Sequence, residues 1–285
     1  MRVDNAAMRS LNVPAPAKVN LFLHVTGRRG DGRHLLETLF VALDFGDTIA
    51  LARRDDGAIR RAGGWSDVPR EHDLALRAAQ ALKAATGCRA GVDISVIKRI
   101  PVGAGLGGGS SDAASVLLAL NRMWEVNLTR TRLMEIGLGL GADVPFFVFG
   151  DPAFACGVGE ILRPVTLPPM WIAVIAPAIS VSTATIFAAP ELTRDTPSAK
   201  MDVFSEGYGR NDLQTAAVAR YPEIGTALAE LRKHSRHARM TGSGSAVFAS
   251  FASDELARSA VAASPPGMRG FVARPLSRHP LAGFA

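Results

Sequence analysis

The feature that most constrains the fold of this chain is a glycine-rich stretch at residues 101–112, which reads PVGAGLGGGSSD and contains five glycines. Before it, apolar and polar residues alternate over 92–96 as in a half-buried strand, and after it apolar residues recur at helical spacing over 113–124. Ser110 or Ser111 is placed to cap that helix. Such a turn gathers backbone N–H groups and the positive end of the helix dipole, so we predict a phosphate-binding loop rather than a purely structural turn.

Two common nucleotide motifs do not describe this loop. The Walker pattern requires a lysine near its end, and no basic residue lies between Pro101 and Asp112. The Rossmann fingerprint requires an acidic residue about 20 positions further on, within a βαβ unit. The nearest candidate is Glu125, which the helical pattern assigns to the end of the helix. The sequence therefore predicts a phosphate loop of another kind.

Charge and cysteine content narrow the class of protein. The net charge of +6 is compatible with nucleic-acid binding, but the basic residues are scattered and form no block of five or six. Cys88 and Cys156 stand alone, so neither a disulfide framework nor a zinc site is indicated. The first twelve residues lack the apolar core of a signal peptide, and the longest apolar run is about half as long as a spanning helix. We expect a cytoplasmic protein without a membrane partner. A modest positive charge also suits small polyanionic substrates, so charge alone does not decide between these and nucleic acids.

Two segments near the N-terminus alternate as strands do. Over residues 16–25 the aliphatic side chains of Val19, Leu21, Leu23 and Val25 share one face. Lys18 and Asn20 lie on the other face about 7 Å apart. These two side chains could converge on one ligand or form an ordinary solvated face, and spacing does not decide between the two. A second strand is predicted over 35–43, ending in a turn at 44–47.

The middle of the chain contains helical patterns and one unusual joint. A helix is predicted over 74–85 with Asp73 as its N-cap, and another, capped by Thr129, is predicted to run to about Leu140. Because a following proline disfavours the helical conformation, Val144 is expected to be extended, with Asp143 between a helix and a strand. Asp143 is there either a turn former or, if it faces a pocket, a candidate acid–base group.

The second half of the chain predicts a separate unit. Residues 150–169 look irregular and contain the predicted domain boundary, and beyond them strands and helices follow in the order β-α-β-β-α-β of ferredoxin-like folds. The segment 178–215 is an excursion after the first of these strands, of the kind that commonly forms a lid or a substrate loop. A glycine-serine turn at 240–245 is either a plain hairpin or a second set of backbone donors for an anion.

Three separated stretches resemble the GHMP small-molecule kinases, in the order in which that family has them. These are PAKVNL at 16–21, the phosphate loop at 101–112 and MTGSG at 240–244, and the resemblance covers roughly residues 14–275. It implies an α+β fold of two domains. The first, residues 1–165, would bind ATP and be built like a ribosomal-protein domain; the second, residues 166–285, would be a ferredoxin-like (split βαβ) substrate-binding domain.

The resemblance also implies a catalytic site and its cofactors, ATP and Mg²⁺. Asp143 would accept the proton of the acceptor hydroxyl, and Lys18 beside it would stabilise charge on the transferred phosphoryl group. Ser110 and Ser111 would reach the Mg²⁺ ion. The residues implied in ATP binding are Lys98, at the adenosine end, and Pro101, Val102, Gly103, Ala104, Gly105, Leu106, Gly107, Gly108, Gly109, Ser110 and Ser111.

Within the family, the segments 16–23, 31–34, 106–113 and 141–147 resemble the branch whose acceptor is a cytidine diphosphate derivative, in the non-mevalonate route to isoprenoids. His34 would hydrogen-bond the cytosine edge and Phe187 would stack on the ring. The family usually has a tyrosine where this chain has Arg33, whose guanidinium plane can also stack. The remaining residues implied in substrate binding are Asn20, beside the catalytic pair, and Thr183, Gly242 and Ser243, near the diphosphate or the γ-phosphate.

Two alternatives remain at this point. One is another kinase of the same family, of the homoserine or phosphomevalonate type. Arg33, His34 and Phe187 argue against it, because a cytosine-bearing acceptor is what gives these residues a purpose. The other is a nucleic-acid-binding protein, which leaves Lys18 and Asp143 unexplained and would be expected to have a basic patch interleaved with aromatic residues.

Overall fold

The computed structural model describes residues 9–64, 68–198 and 208–285. A six-stranded sheet occupies the first half of the chain. Its strands run in the order β3-β4-β2-β5-β6, and β1 pairs with β2 outside this path. They are β1 (Ser10–Arg28), β2 (His34–Arg54), β3 (Ile59–Gly64), β4 (Gly91–Ile97), β5 (Ala153–Cys156) and β6 (Ile161–Pro164).

The turn predicted at 44–47 is wrong, because β2 continues through it to Arg54. Gly46 pairs with Pro16 of β1, and a Cβ atom there would come within 2.2 Å of the backbone oxygen of Ala15. The glycine therefore serves a close approach of two strands rather than a turn. Asp47 is buried, and its carboxylate accepts hydrogen bonds from the backbone N–H groups of Arg99 and Ile100.

Four helices cover one face of this sheet: α1 (Leu74–Thr86), α2 (Gly108–Met123), α3 (Arg130–Leu138) and α4 (Val144–Phe149). The predicted caps of the first and third are confirmed, since the side chains of Asp73 and Thr129 accept hydrogen bonds from N–H groups of the helices that follow them. The strand predicted after Asp143 is wrong, because α4 begins at Val144. Pro145 lies in its first turn, where the missing N–H is not needed and the fixed φ suits a helix.

The second sheet is antiparallel and has the order β10-β7-β9-β8. With the helices between its strands this is the predicted split βαβ arrangement, which is confirmed. Its strands are β7 (Trp171–Ala176), β8 (Arg239–Met240), β9 (Val247–Phe251) and β10 (Arg269–Ala273). The helices of this half are α5 (Thr183–Phe187), α6 (Gln214–Arg220), α7 (Pro222–Arg232) and α8 (Asp254–Ala262).

The two sheets pack face to face. Along β7, Ile172 and Val174 share a buried cluster with Val19 and Val41 of the first sheet, whereas the alternating residue Ala173 packs in another cluster with residues of α6, α7 and α8. The molecule is thus layered as helices, sheet, sheet and helices. The irregular crossing predicted at 150–169 is instead a hairpin of β5 and β6, and the domain boundary after residue 165 stays a prediction. Within the described ranges, no helix is both long and apolar enough to cross a membrane.

Candidate active site

A cavity of about 480 Å³ opens beside the phosphate loop. Every residue predicted for catalysis or for ATP binding lines it except Ser111, whose side chain is fully buried. Arg33 and His34 line an adjoining cavity of about 500 Å³, and Phe187 lines both. The structure therefore brings the N-terminal strand, the loop at 101–112, Asp143 and the predicted substrate residues around two adjoining cavities.

The phosphate loop depends on its glycines for backbone shape and for close contacts. Gly103, Gly105 and Gly107 all have positive φ angles, of 68°, 74° and 73°. Residues other than glycine rarely adopt this backbone conformation. A Cβ atom on Gly105 would lie 2.5 Å from the backbone oxygen of Thr241. The loop is thus seated on the second glycine-serine turn, and the N–H of Ala246 donates to the carbonyl of Ala104 at 3.0 Å.

The helix after the loop starts without a side-chain cap. Its N-cap is Gly107, so the predicted cap by Ser110 or Ser111 is wrong, and both serines belong to the first turn of α2. Ser110 lines the cavity, whereas the buried hydroxyl of Ser111 has no hydrogen-bond partner among the described residues. Because no side chain occupies the first N–H groups of α2, they remain available for an anion at the positive end of the helix dipole.

Lys18 and Asp143 meet at the wall of the cavity. Lys18 Nζ lies 3.5 Å from Asp143 Oδ2, and the side chain of Lys18 is nearly fully buried whereas that of Asp143 is 31% exposed. Asp143 is the residue before α4 but does not cap it, so its carboxylate is not committed to the helix. The backbone N–H of Lys18 donates to the carbonyl of Leu106, which ties this strand to the phosphate loop.

A chain of buried hydrogen bonds orients the lysine. Lys18 Nζ donates to Asn20 Oδ1 at 2.5 Å, and Asn20 Nδ2 donates to Thr38 Oγ1 at 2.8 Å. Thr38 Oγ1 in turn donates to the carbonyl of Phe22 at 2.5 Å, so it must accept from the Asn20 amide nitrogen. Because the amide nitrogen of Asn20 faces Thr38, its amide oxygen faces Lys18 and accepts the hydrogen bond from the lysine. Sequence reasoning missed Thr38, because its role depends on the register between β1 and β2.

Lys98 lies behind the loop between two carboxylates. It forms ion pairs with Asp47 and, at 2.7 Å, with Asp112 at the start of α2. Although burial opposes the effect, Asp112 and Asp47 raise the pKa of Lys98. Burial raises the pKa of Asp112 to about 7. The positive charge of Lys98 acts to lower this pKa, but burial and the negative charge of Asp47 together outweigh it. Lys98 still lines the cavity, so its predicted place near the adenosine of ATP stays a prediction.

The predicted base-binding residues His34 and Phe187 meet where the two cavities adjoin. The rings of His34 and Phe187 have centroids 4.9 Å apart, and Arg194 Nε donates to His34 Nε2 at 3.2 Å. Burial lowers the pKa of His34, and the nearby charges of Arg194 and Arg28 lower it further. Sequence reasoning missed Arg194, which lies 160 positions from His34 within the excursion.

A pair of hydroxyls links this end to the second glycine-serine turn. Thr183 Oγ1 and Ser243 Oγ are 2.8 Å apart, and both residues line the cavity, as does Gly242. Among the described residues, no group of three or more His, Cys, Asp or Glu side chains is arranged to hold a metal ion. A cation here would therefore need oxygen atoms from hydroxyls, from single carboxylates and from the substrate.

Comparisons with known proteins agree on one family. The model of the GHMP kinases N terminal domain matches residues 73–151, and that of the GHMP kinases C terminal matches residues 189–264. A 4-diphosphocytidyl-2-C-methyl-D-erythritol kinase of Thiobacillus denitrificans is 56% identical over 95% of this chain and 97% of its own length. A protein of the same name from Aromatoleum aromaticum is 53% identical over 99% of both chains.

One solved structure extends this similarity to three dimensions. A crystal structure of 4-(cytidine 5'-diphospho)-2C-methyl-D-erythritol kinase superposes with a TM-score of 0.79 at 36% identity. The match covers 93% of this chain and 99% of that one.

Proposed function

Because the chain belongs to the GHMP kinases, we propose that it transfers the γ-phosphoryl group of ATP to the 2-hydroxyl of 4-diphosphocytidyl-2-C-methyl-D-erythritol. The observation that carries this proposal is a pair of adjoining cavities lined by a phosphate loop, a lysine–carboxylate pair and the facing rings of His34 and Phe187. Relatives at 53–56% identity over nearly the whole chain are kinases of that name. In the proposed reaction the second product is ADP.

Positioning and charge neutralisation supply most of the rate enhancement in phosphoryl transfer. The acceptor hydroxyl oxygen forms a bond to the γ-phosphorus, the bond from that phosphorus to the bridging oxygen breaks, and ADP leaves with the electron pair. Asp143 orients the hydroxyl and takes its proton. Lys18, held 3.5 Å from that carboxylate by its bond to Asn20, faces the negative charge of the transferred group. The free N–H groups of the loop and of α2 hold the β- and γ-phosphates.

The oxygen atoms around the loop also fit a magnesium ion. Mg²⁺ prefers oxygen ligands and is usually bound through one or two protein groups together with substrate phosphates and water. The Ser110 hydroxyl and the Asp143 carboxylate both line the cavity, and the buried Ser111 hydroxyl has no partner among the described residues. These residues would hold the ion, which would neutralise phosphate charge when bound.

The base pocket favours a cytidyl acceptor over the small acceptors of related kinases. Homoserine and mevalonate phosphate carry no ring for the facing His34 and Phe187 side chains. Arg33, on the exposed side of the adjoining cavity, adds positive charge suited to a diphosphate. The expectation that the protein works in the cytoplasm without a nucleic-acid partner belongs to the same proposal.

The test is ADP release by the purified protein with three acceptors: the cytidyl substrate, homoserine and mevalonate phosphate. We expect turnover with the first alone, and we expect Asp143→Ala to lower kcat by about 10²–10⁴-fold, as for a positioned acid–base group. Asp55→Ala, which removes an exposed carboxylate paired with Arg9, is the matched control and should leave kcat unchanged. Equal turnover with another acceptor, or near-normal turnover by Asp143→Ala, would refute the proposal.

A further inference from the structure

Arg194 binds the segment that carries Phe187 through three backbone carbonyls. Its Nη2 group donates to the carbonyls of Phe187 and Ala189, at 3.1 and 2.7 Å, and Nη1 donates to that of Leu192 at 3.0 Å. The guanidinium is planar, so these three bonds also fix the direction of its remaining Nε–H group. That group points at His34 Nε2. The orientation of the donor is therefore set by the backbone rather than by the histidine.

This contact determines where the imidazole proton resides. A guanidinium can only donate hydrogen bonds and stays protonated in proteins, so His34 Nε2 must be the acceptor. A histidine that accepts at Nε2 is neutral and carries its proton on Nδ1. The lowered pKa of His34 agrees with a neutral ring. Among the described residues Nδ1 has no hydrogen-bond partner, so its N–H is the donor that the ring can offer to a ligand in the cavity it lines.

A fixed donor distinguishes the two common pyrimidines. Cytosine presents an unprotonated N3, which accepts a hydrogen bond, whereas uracil carries a proton at N3 and donates there. An Nδ1–H group that faces position 3 of the base therefore pairs with cytosine N3 but meets uracil N3–H as donor against donor. A ring with the opposite tautomer would favour uracil instead. A site that is built to hydrogen-bond one partner rejects an analogue that leaves its polar groups unpaired.

We propose that Arg194 sets the base specificity of the site by holding His34 in the Nδ1–H tautomer, so that the acceptor must carry cytosine rather than uracil. This inference rests on the proposed function and adds to it a positioning residue that does not itself touch the base. Arg194 acts on the base through His34, and it also fixes the carbonyl of the stacking residue Phe187.

The experiment compares kcat/KM for the cytidyl acceptor and for its uridyl analogue. For the wild type we expect a preference for cytosine of at least about tenfold, from the cost of one unpaired polar group. Arg194→Met keeps the length of the side chain but removes its donors, and the preference should fall to about threefold or less, through KM rather than kcat. Arg194→Lys, which retains a pure donor, should recover part of the preference. The matched control is Arg220→Met, which removes an arginine paired with Glu191 on the same excursion and should keep the preference.

A direct readout comes from ¹⁵N NMR of the His34 ring in the absence of any acceptor. The wild type should show protonated Nδ1 and unprotonated Nε2, and Arg194→Met should move the proton to Nε2 or to a mixture of both. Wild-type protein that uses both acceptors equally would overturn the inference while the proposed function stands. Protein that uses neither acceptor would overturn both. Unchanged tautomer and unchanged preference in Arg194→Met would overturn the inference; if that variant does not fold, Arg194→Leu, which also lacks a donor, is judged by the same two readouts.

Discussion

Replacing Thr38 by valine tests whether a buried hydroxyl, remote from the phosphate loop in sequence, controls the orientation of Lys18, the lysine proposed to act in catalysis. Valine has nearly the shape of threonine but neither donates nor accepts. Thr38 is fully buried, and its hydroxyl accepts from Asn20 Nδ2 and donates to the carbonyl of Phe22. The substitution therefore leaves one amide donor and one carbonyl without these partners in a buried part of the structure.

The structure sets the size of the expected effects. An unsatisfied buried polar group costs about 1–3 kcal/mol, so the free energy of unfolding should fall by about that amount. Without Thr38 the Asn20 amide can rotate and turn its nitrogen toward Lys18, where donor would meet donor and the 2.5 Å bond is lost. If Lys18 then contributes about 1.4 kcal/mol less to the transition state, kcat falls about tenfold.

Two assays separate these effects. Urea unfolding gives the change in stability, and ADP release at saturating ATP and acceptor gives kcat. Thr38→Ser keeps the hydroxyl and should retain kcat, even if loss of the methyl group lowers stability. A valine variant that loses stability but keeps wild-type kcat would refute the claim that the orientation of Asn20 positions Lys18. A serine variant as slow as the valine variant would show that packing of the methyl group, not the hydrogen bonds, is what matters.

Two further predictions concern the phosphate loop and the charges behind it. Gly105→Ala should raise KM for ATP about tenfold or more, because the φ of Gly105 is +74° and an added Cβ would lie 2.5 Å from the backbone oxygen of Thr241. The control is Gly283→Ala, which should behave as wild type because an added Cβ there meets no atom within 4 Å. Equal KM values for ATP in the two variants would contradict this prediction. Because the pKa of Asp112 is raised to about 7, the folded state binds more protons than the unfolded state between about pH 4 and 7. The contribution of Asp112 to the free energy of unfolding therefore falls as the pH rises through that window. Asp112→Asn should remove this pH dependence of the free energy of unfolding, which amounts to at most about 1.4 kcal/mol per pH unit. If the urea midpoints of variant and wild type change with pH in the same way across about pH 4–8, the raised pKa of Asp112 is contradicted.

Local patterns in the sequence predicted the elements whose signals are local. The strand before the loop, the helix after it and the caps at Asp73 and Thr129 are confirmed, because periodicity and capping act within a few residues. The prediction failed where local rules compete with packing. Pro145 was expected to keep Val144 out of a helix, but a proline in the first turn loses no hydrogen bond, and α4 buries both residues.

The site was predicted unevenly for a related reason. The resemblance to a known family identified Lys18 and Asp143, which the structure brings within 3.5 Å across 125 positions of sequence. It did not identify Thr38 or Arg194, which act on the predicted residues through hydrogen bonds set by strand register and by the path of the excursion. A threonine among apolar strand residues and an arginine in a long loop are common, and neither has a sequence signal that distinguishes it.

The arrangement also explains why the phosphate loop cannot be understood as a local motif alone. Its conformation is held by the second half of the chain, through the bonds from Val181 to Gly103 and from Ala246 to Ala104 and through the close approach of Gly105 to Thr241. Val181 leads into α5, which ends at Phe187. The segment that carries Phe187, proposed to stack on the acceptor base, is therefore joined to the backbone of the loop over a path of few residues. Phe187 and the loop proposed to hold ATP are consequently parts of one packed unit, although they lie in different halves of the sequence.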